Sequence, residues 1–280
     1  MSEPILEMKN ISKNFGSVIA LKNVDLEVYP GEIRGLIGEN GSGKSTISSI
    51  AAGMQKATSG RMTFKKQSWE PASMIDALQN GIGMVVQESG TISGVTVAEN
   101  IFLAELSQFR NKLGMINKKA MNQKATEAMR AIGVEHVIGD MPIDSLDFQT
   151  RKLVEIAKVM LKNPDILVID ETSTALSQDG REIMYSLIRK LRDSGKAIIF
   201  ISHDLEELME VCSKLIVLRD GVFVAELEKS EFEEEKIKEL MNCFPRSIIN
   251  NKGEFIAMVK ENEYFILESC KDEREIKCKV

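Results

Sequence analysis

The segment GENGSGKS at residues 38–45 limits what this chain can fold into more than any other stretch. It carries glycine, four residues, then Gly-Lys-Ser, and it sits between the apolar run IRGLI and a stretch that reads as a helix. Glycines let the backbone wrap until its N–H groups converge, and a helix N-terminus adds the positive end of its dipole. Such a loop cradles phosphate oxygens. Gly38, Asn40, Gly41, Ser42, Gly43, Lys44, Ser45 and Thr46 are therefore the nucleotide-binding candidates. Lys44 is assigned to the β and γ phosphates and the Ser45 hydroxyl to Mg²⁺.

A second constraint is DILVIDET at 165–172, an apolar strand that ends in two adjacent carboxylates. Asp170 is the metal-binding candidate, and Glu171, one residue further, is the candidate general base for an attacking water. The alternative, a solvated loop carboxylate, loses ground once the phosphate-binding loop is granted. The chain has only two histidines, and His203 follows the apolar run AIIFIS directly. By itself it would be an ordinary surface residue; beside the other two motifs it reads as a sensor of the γ-phosphate and the water. His136, in GVEHVIG, has no such company and is taken as structural.

Texture along the chain divides it. Short apolar runs punctuated by Gly and Asn mark residues 5–86 as strand-rich, including IRGLIG and IGMVVQ. Between about 100 and 162 the pattern turns helical: Met121, Ala125, Met129 and Ile132 share a face, with Asn117 as cap and Gly133 as stop. From 164, short buried strands alternate with helices, one of them carrying Ile183, Leu187 and Leu191, which predicts α/β layering on a mostly parallel sheet. The segment 226–280 opens on EKSEFEEEKIKEL, and short strands are expected around FIAMVK and YFILES.

With 36 basic and 42 acidic side chains the formal charge is −6, which argues against a nucleic-acid partner. The longest apolar runs, such as AIIFI, fall far below the ~18 residues of a membrane-spanning helix. MSEPILEMKN has no basic start followed by an apolar core, so an intracellular protein is expected. Cysteines 212, 243, 270 and 278 have no metal-ligand spacing and are expected to be reduced thiols.

These motifs in this order, with Gln87 between the glycine-rich loop and the helical stretch, resemble the nucleotide-binding domain of ABC transporters. The resemblance covers residues 5 to about 225. Through GENGSGKST, GIGMVVQE, TVAENIFL, LVEIAKVM and ISHDLEELMEVCSKLIVLRDG it extends to the first half of the tandem-domain ATPases that drive ribose-, galactose- or xylose-type importers. Nucleoside importers share that style. The resemblance implies a P-loop NTPase core with an antiparallel β subdomain and an inserted helical subdomain at about 88–163, together forming a nucleotide-binding domain over 1–225. Residues 226–280 are then a C-terminal appendage: regulatory, a dimer contact, or the remnant of a linker.

It also implies ATP and Mg²⁺ as cofactors, Phe15 as the aromatic on which adenine stacks, and Gln87 as a magnesium sensor that touches the transmembrane subunit. Read without the family, Phe15 is a core or edge residue and Gln87 ends its strand. The implied partners are permease subunits, met around TISGVTVAENIF, a second ATP-binding domain and, indirectly, a solute-binding protein. The implied location is the inner face of the cell membrane, as a peripheral cytoplasmic subunit.

One departure matters. In the family a signature of the type LSGGQ grips the γ-phosphate bound to the opposite subunit of a head-to-tail dimer. The aligned residues here are Leu146, Asp147, Phe148, Gln149 and Thr150. Asp147 is a good helix cap, worth about 1 kcal/mol. Aimed at a γ-phosphate, however, it would repel by ~4 kcal/mol for unit charges ~4 Å apart at an effective dielectric of ~20. Gln149 adds bulk where the backbone must approach. The expectation is an asymmetric pair in which a partner supplies the signature. The competing expectations are a low-turnover regulatory ATP-binding module and, less well matched to a chain with one domain and no long coiled coil, an ABC ATPase acting on ribosomes or DNA.

Overall fold

The structure is a computed structural model; it describes residues 3–86, 90–173 and 176–242, and beyond them the strands at 246–249, 255–260 and 263–266. By internal contacts the chain divides into units 1–231 and 232–280.

Two sheets form the first unit. Strands β1 (Leu6–Phe15), β2 (Val18–Val28), β4 (Ser59–Phe64) and β5 (Gln67–Ser68) build an antiparallel sheet in the order β2-β1-β4-β5. In β1 the buried residues Leu6, Met8 and Ile11 break strict alternation, because the register shifts between Met8 and Ile11, where Asn10 takes a positive φ of 52°. The second sheet holds β3 (Ile33–Ile37), β6 (Ile82–Val85), β7 (Ile166–Asp170), β8 (Ala197–Ile201), β9 (Lys214–Arg219) and β10 (Val222–Glu228) in the order β10-β9-β3-β8-β7-β6. All of its pairings are parallel except β10 with β9. Strands β3, β7 and β8 are buried along their whole length, which is why they are mostly apolar, Arg34 in β3 and Asp170 at the end of β7 being the charged exceptions.

Helix α1 (Lys44–Ala51) sends Ile47 and Ile50 into a core shared with Leu21 and Val24 of the first sheet and Leu36, Val168 and Ile199 of the second. Trp69 anchors this layer, donating Nε1–H to the Ala51 carbonyl at 2.9 Å. Strand β10 carries the unit past residue 225, and its Glu226 pairs with the fully buried Arg34 at 3.0 Å.

After α2 (Met74–Asn80) and β6 come the helices α3 (Val97–Phe102), α4 (Lys118–Ala131) and α5 (Phe148–Met160), which pack on one another. Asn117 caps α4, accepting from the Ala120 N–H at 3.0 Å, and Met121, Ala125 and Met129 are buried. In α6 (Gln178–Asp193) the buried face is Met184, Leu187 and Ile188, whereas Ile183 and Leu191 are half-buried. The expected 183–187–191 line thus runs along that face, with Leu187 buried and Ile183 and Leu191 at its margins. Helix α7 (Leu205–Val211) follows β8.

The second unit contains α8 (Glu234–Asn242) and a three-stranded antiparallel sheet, β11 (Arg246–Ile249), β12 (Phe255–Lys260) and β13 (Glu263–Ile266), in the order β11-β12-β13. Strand β12 coincides with FIAMVK.

Phe200 lies in β8, among the inner strands of the parallel sheet, with 0% exposure. Phe200→Ala is expected to lower unfolding free energy by about 3–5 kcal/mol, measured by urea denaturation of the chain.

Candidate active site

The three motifs read from the sequence meet because their strands are neighbours. In the second sheet β8 pairs with β3 on one side and β7 on the other, and Ile201 lies level with both Leu36 and Asp170. The glycine-rich loop, Asp170–Glu171 and Ser202–His203 therefore leave the same carboxyl edge of the sheet, the edge at which open α/β sheets bind ligands.

Backbone space dictates the glycines of the loop. A Cβ on Gly38 would meet the Leu218 carbonyl oxygen at 2.0 Å, and one on Gly43, at φ 99°, would meet Leu21 Cδ2 at 2.6 Å. Asn40 and Gly41 lie exposed, Thr46 half-buried. Lys44 is 4% exposed, and its ammonium donates to the carbonyls of Gly38 and Glu39 at 2.8 and 3.0 Å, so the loop folds around its own lysine. Burial holds the Lys44 pKa below its ordinary value, opposed by the nearby charges of Glu171 and Asp170. Ser42 Oγ is buried and has no hydrogen-bond partner among the described residues. A buried hydroxyl without a partner is costly unless something arrives to pair with it, and a phosphate oxygen suits it. This loop fits the phosphates of a nucleotide.

Asp170 closes β7 at 6% exposure. Its carboxylate accepts from Ser45 Oγ at 3.1 Å. Burial pushes its pKa up to about 6, helped by Glu171 and opposed by the Ser45 hydrogen bond and Lys44. A hydroxyl and a carboxylate side by side are hard oxygen donors of the kind that hold Mg²⁺ together with nucleotide phosphates. Glu171 has φ 43°, a left-handed conformation uncommon for a residue with a Cβ, and its N–H donates to Ile201 O at 3.0 Å. His203 Nδ1 lies 4.0 Å from Glu171 Oε2, with the imidazole 59% exposed and the carboxylate 15%. Thr172, fully buried, turns its hydroxyl back to the Asp170 carbonyl at 3.2 Å.

Phe15 ends β1 half-exposed, with Lys13 Nζ 4.9 Å above its ring. Gln87 lies outside the described residues. The flanks of its segment are held by α5: Lys152 donates to Val86 O at 2.9 Å, and Glu155 accepts from the Gly90 N–H at 2.6 Å. The two side chains also pair with each other at 2.9 Å. Sequence reasoning missed both, although a Lys and a Glu at i and i+3 inside an apolar helix was a visible signal.

Residues 146–150 open α5. Asp147 is its cap, accepting from the Thr150 N–H at 2.7 Å, and this hydrogen bonding holds its pKa below the usual carboxylate value. Arg151 Nε donates to the Leu146 carbonyl at 2.9 Å. Phe148 is 53% exposed and Thr150 buried. Gln149 Oε1 accepts from the N–H of Ser177, the residue that caps α6. Both polar side chains at 147 and 149 thus serve the chain's own backbone.

A family model described as ABC transporter matches residues 21–174. The ribose import ATP-binding protein RbsA 2 of Escherichia coli O157:H7 is 39% identical over 260 residues, covering 92% of this chain and 50% of that protein. Ribose import ATP-binding protein RbsA of Caldanaerobacter subterraneus subsp. tengcongensis is 37% identical over 239 residues, 85% of this chain and 48% of that protein. The chain spans about half the length of the curated relatives it matches. Among solved structures, a nucleotide-free ATP-binding cassette from an ABC transporter superposes with TM-score 0.72 at 27% identity, covering 86% of this chain and 96% of that one. A dimeric ATP-binding cassette in a post-hydrolysis state, bound to ADP and Pi, superposes with TM-score 0.69 at 26% identity, covering 81% of this chain and all of that one. By its family match and by the motifs gathered at one sheet edge, this chain belongs to the ABC transporter family.

Proposed function

We propose that the chain binds and hydrolyses ATP to energise an importer of a monosaccharide, within an asymmetric dimer whose partner supplies the signature. The observation that carries this reading is the convergence of Lys44, Ser45, Asp170, Glu171 and His203 at the carboxyl edge of three adjacent strands. Backbone N–H groups of 38–46 and the Lys44 ammonium bind the phosphates, and Phe15 stacks on the base. Ser45, Asp170 and Gln87 would hold magnesium, which would neutralise charge that builds on the phosphate oxygens. Glu171 takes the proton of the attacking water, and His203 holds that water or the γ-phosphate against it. Hydrolysis then resets the permease subunits through a conformational cycle.

Asymmetry is supported by the engagement of Asp147 with the start of its own helix and of Gln149 with the start of α6. The partner is a second ATP-binding domain with an intact signature. The working unit is the nucleotide-binding domain expected at 1–225, extended to the end of the first unit at 231, with the remainder appended. No helix among the described residues is long and apolar enough to cross a membrane, and membrane contact goes through the permease. Ribose as the solute rests on the names of the relatives; a nucleoside is the alternative. If the chain instead pairs only with copies of itself, both sites lack a signature, and it acts as an ATP-binding module of low turnover.

With a signature-bearing partner added, ATPase activity should rise at least about tenfold over the chain alone, and Glu171→Gln should remove about 100-fold or more of it while leaving ATP binding intact. A phosphate-release assay decides. No activity with any subunit encoded nearby would overturn the transport reading.

Asp170 gives a pH-dependent prediction. Its folded pKa of about 6 exceeds that of an unfolded carboxyl near 4. The folded state thus binds the proton more tightly, and that stabilisation, complete below pH about 4, is lost as pH rises through about 6. Without nucleotide and magnesium, Asp170→Asn should exceed the wild type by about 2–3 kcal/mol at pH 7.5. In urea unfolding the difference should vanish toward pH 4.

A further inference from the structure

Glu207 lies in the first turn of α7, four residues beyond His203, and is 6% exposed. Its carboxylate accepts three hydroxyls: Ser173 Oγ at 2.7 Å and Ser202 Oγ at 2.5 Å on one oxygen, and Tyr185 Oη at 2.6 Å on the other. Charge-assisted bonds of this length are what make a buried carboxylate tolerable. They also join segments far apart in the chain. Ser173 stands two residues after Glu171, and Ser202 stands directly before His203.

Both neighbouring segments need holding. Glu171 occupies a left-handed conformation that its Cβ disfavours, and such a backbone persists only where its surroundings over-determine it. The N–H of Glu171 is fixed to Ile201 O, and Ser173 provides the next anchor along the chain. On the other side, Ser202 Oγ donates to Glu207 and accepts from the Asp204 N–H at 3.0 Å, so the backbone is tied on both sides of His203. Asp204 in turn caps α7 by accepting from the N–H of Glu207 at 3.3 Å. The imidazole itself is largely exposed, and its position is set by this backbone.

We propose that Glu207 is a positioning residue that fixes the backbones carrying Glu171 and His203 at one separation, through Ser173 and Ser202. The proposal rests on the hydrolytic reading given above and names what holds its two reacting side chains in place. Tyr185, on α6, is an internal control: its bond to Glu207 is as short as the others and reaches neither segment.

The test uses the full chain assembled with its signature-bearing partner, comparing Ser173→Ala, Ser202→Ala, Tyr185→Phe and Glu207→Gln for kcat, KM and thermal midpoint. Each serine variant should lower kcat about tenfold or more, the scale set by sub-ångström misplacement of reacting groups, with KM changed less than about twofold. Serine-to-threonine at either position should restore kcat. Tyr185→Phe should lower the thermal midpoint as the serine variants do, yet keep kcat within about twofold of wild type. Serine variants with wild-type kcat, or a Tyr185→Phe variant as slow as they are, would overturn the proposal. If Glu207→Gln does not fold, the three hydroxyl variants decide alone. Positioning fails by itself if Glu171→Gln abolishes turnover while the serine variants do not; a wild-type complex without ATPase activity overturns the hydrolytic reading and the positioning together.

Discussion

Everything at this site depends on one piece of sheet geometry, the parallel pairing of β8 with β3 on one side and β7 on the other. That ladder brings level the ends of three strands that lie far apart in sequence. It places a buried ammonium, a buried carboxylate and an imidazole within one small region. Two like-charged groups there, Asp170 and Glu171, are tolerated because Lys44 and the Ser45 hydroxyl face them, yet burial still raises the Asp170 pKa. Such a cluster of perturbed charges at the open edge of a sheet marks it as the functional site.

A second theme is helix α5. Its first residues look after helix ends: Asp147 caps α5, and Gln149 serves the start of α6. One turn further, Lys152 and Glu155 hold both flanks of the segment that contains Gln87. Helix α5 is thus tied at once to that segment and to the start of α6. It joins them whether or not its N-terminus meets a second nucleotide.

What could be read from the sequence was local. The glycine-rich loop, the acidic strand end, the strand-end histidine and the cap at Asn117 are each set by neighbours within a few residues. The stripes Met121–Ala125–Met129 in α4 and Ile183–Leu187–Leu191 in α6 were legible for the same reason, the second with only Leu187 fully buried. The Glu207 cluster was invisible, since its bonds to Tyr185 and Ser173 span 22 and 34 residues and hydroxyl donors carry no periodic signal. So was the bond from Ser177 to Gln149, for which only the oddity of a glutamine at that position gave a hint.

The central claim is that the chain's own nucleotide site is sound and that residues 147 and 149 alone bar two copies from completing each other. It is tested most directly by the ATPase rate of the isolated chain carrying Asp147→Ser and Gln149→Gly together. Serine keeps the cap, so α5 should still form. The account predicts that the double variant, without any partner, hydrolyses ATP at least about tenfold faster than the wild type, with a rate that rises with the square of protein concentration when dimers are scarce. A folded double variant no faster than wild type, or a wild-type chain already at full rate alone, would contradict it.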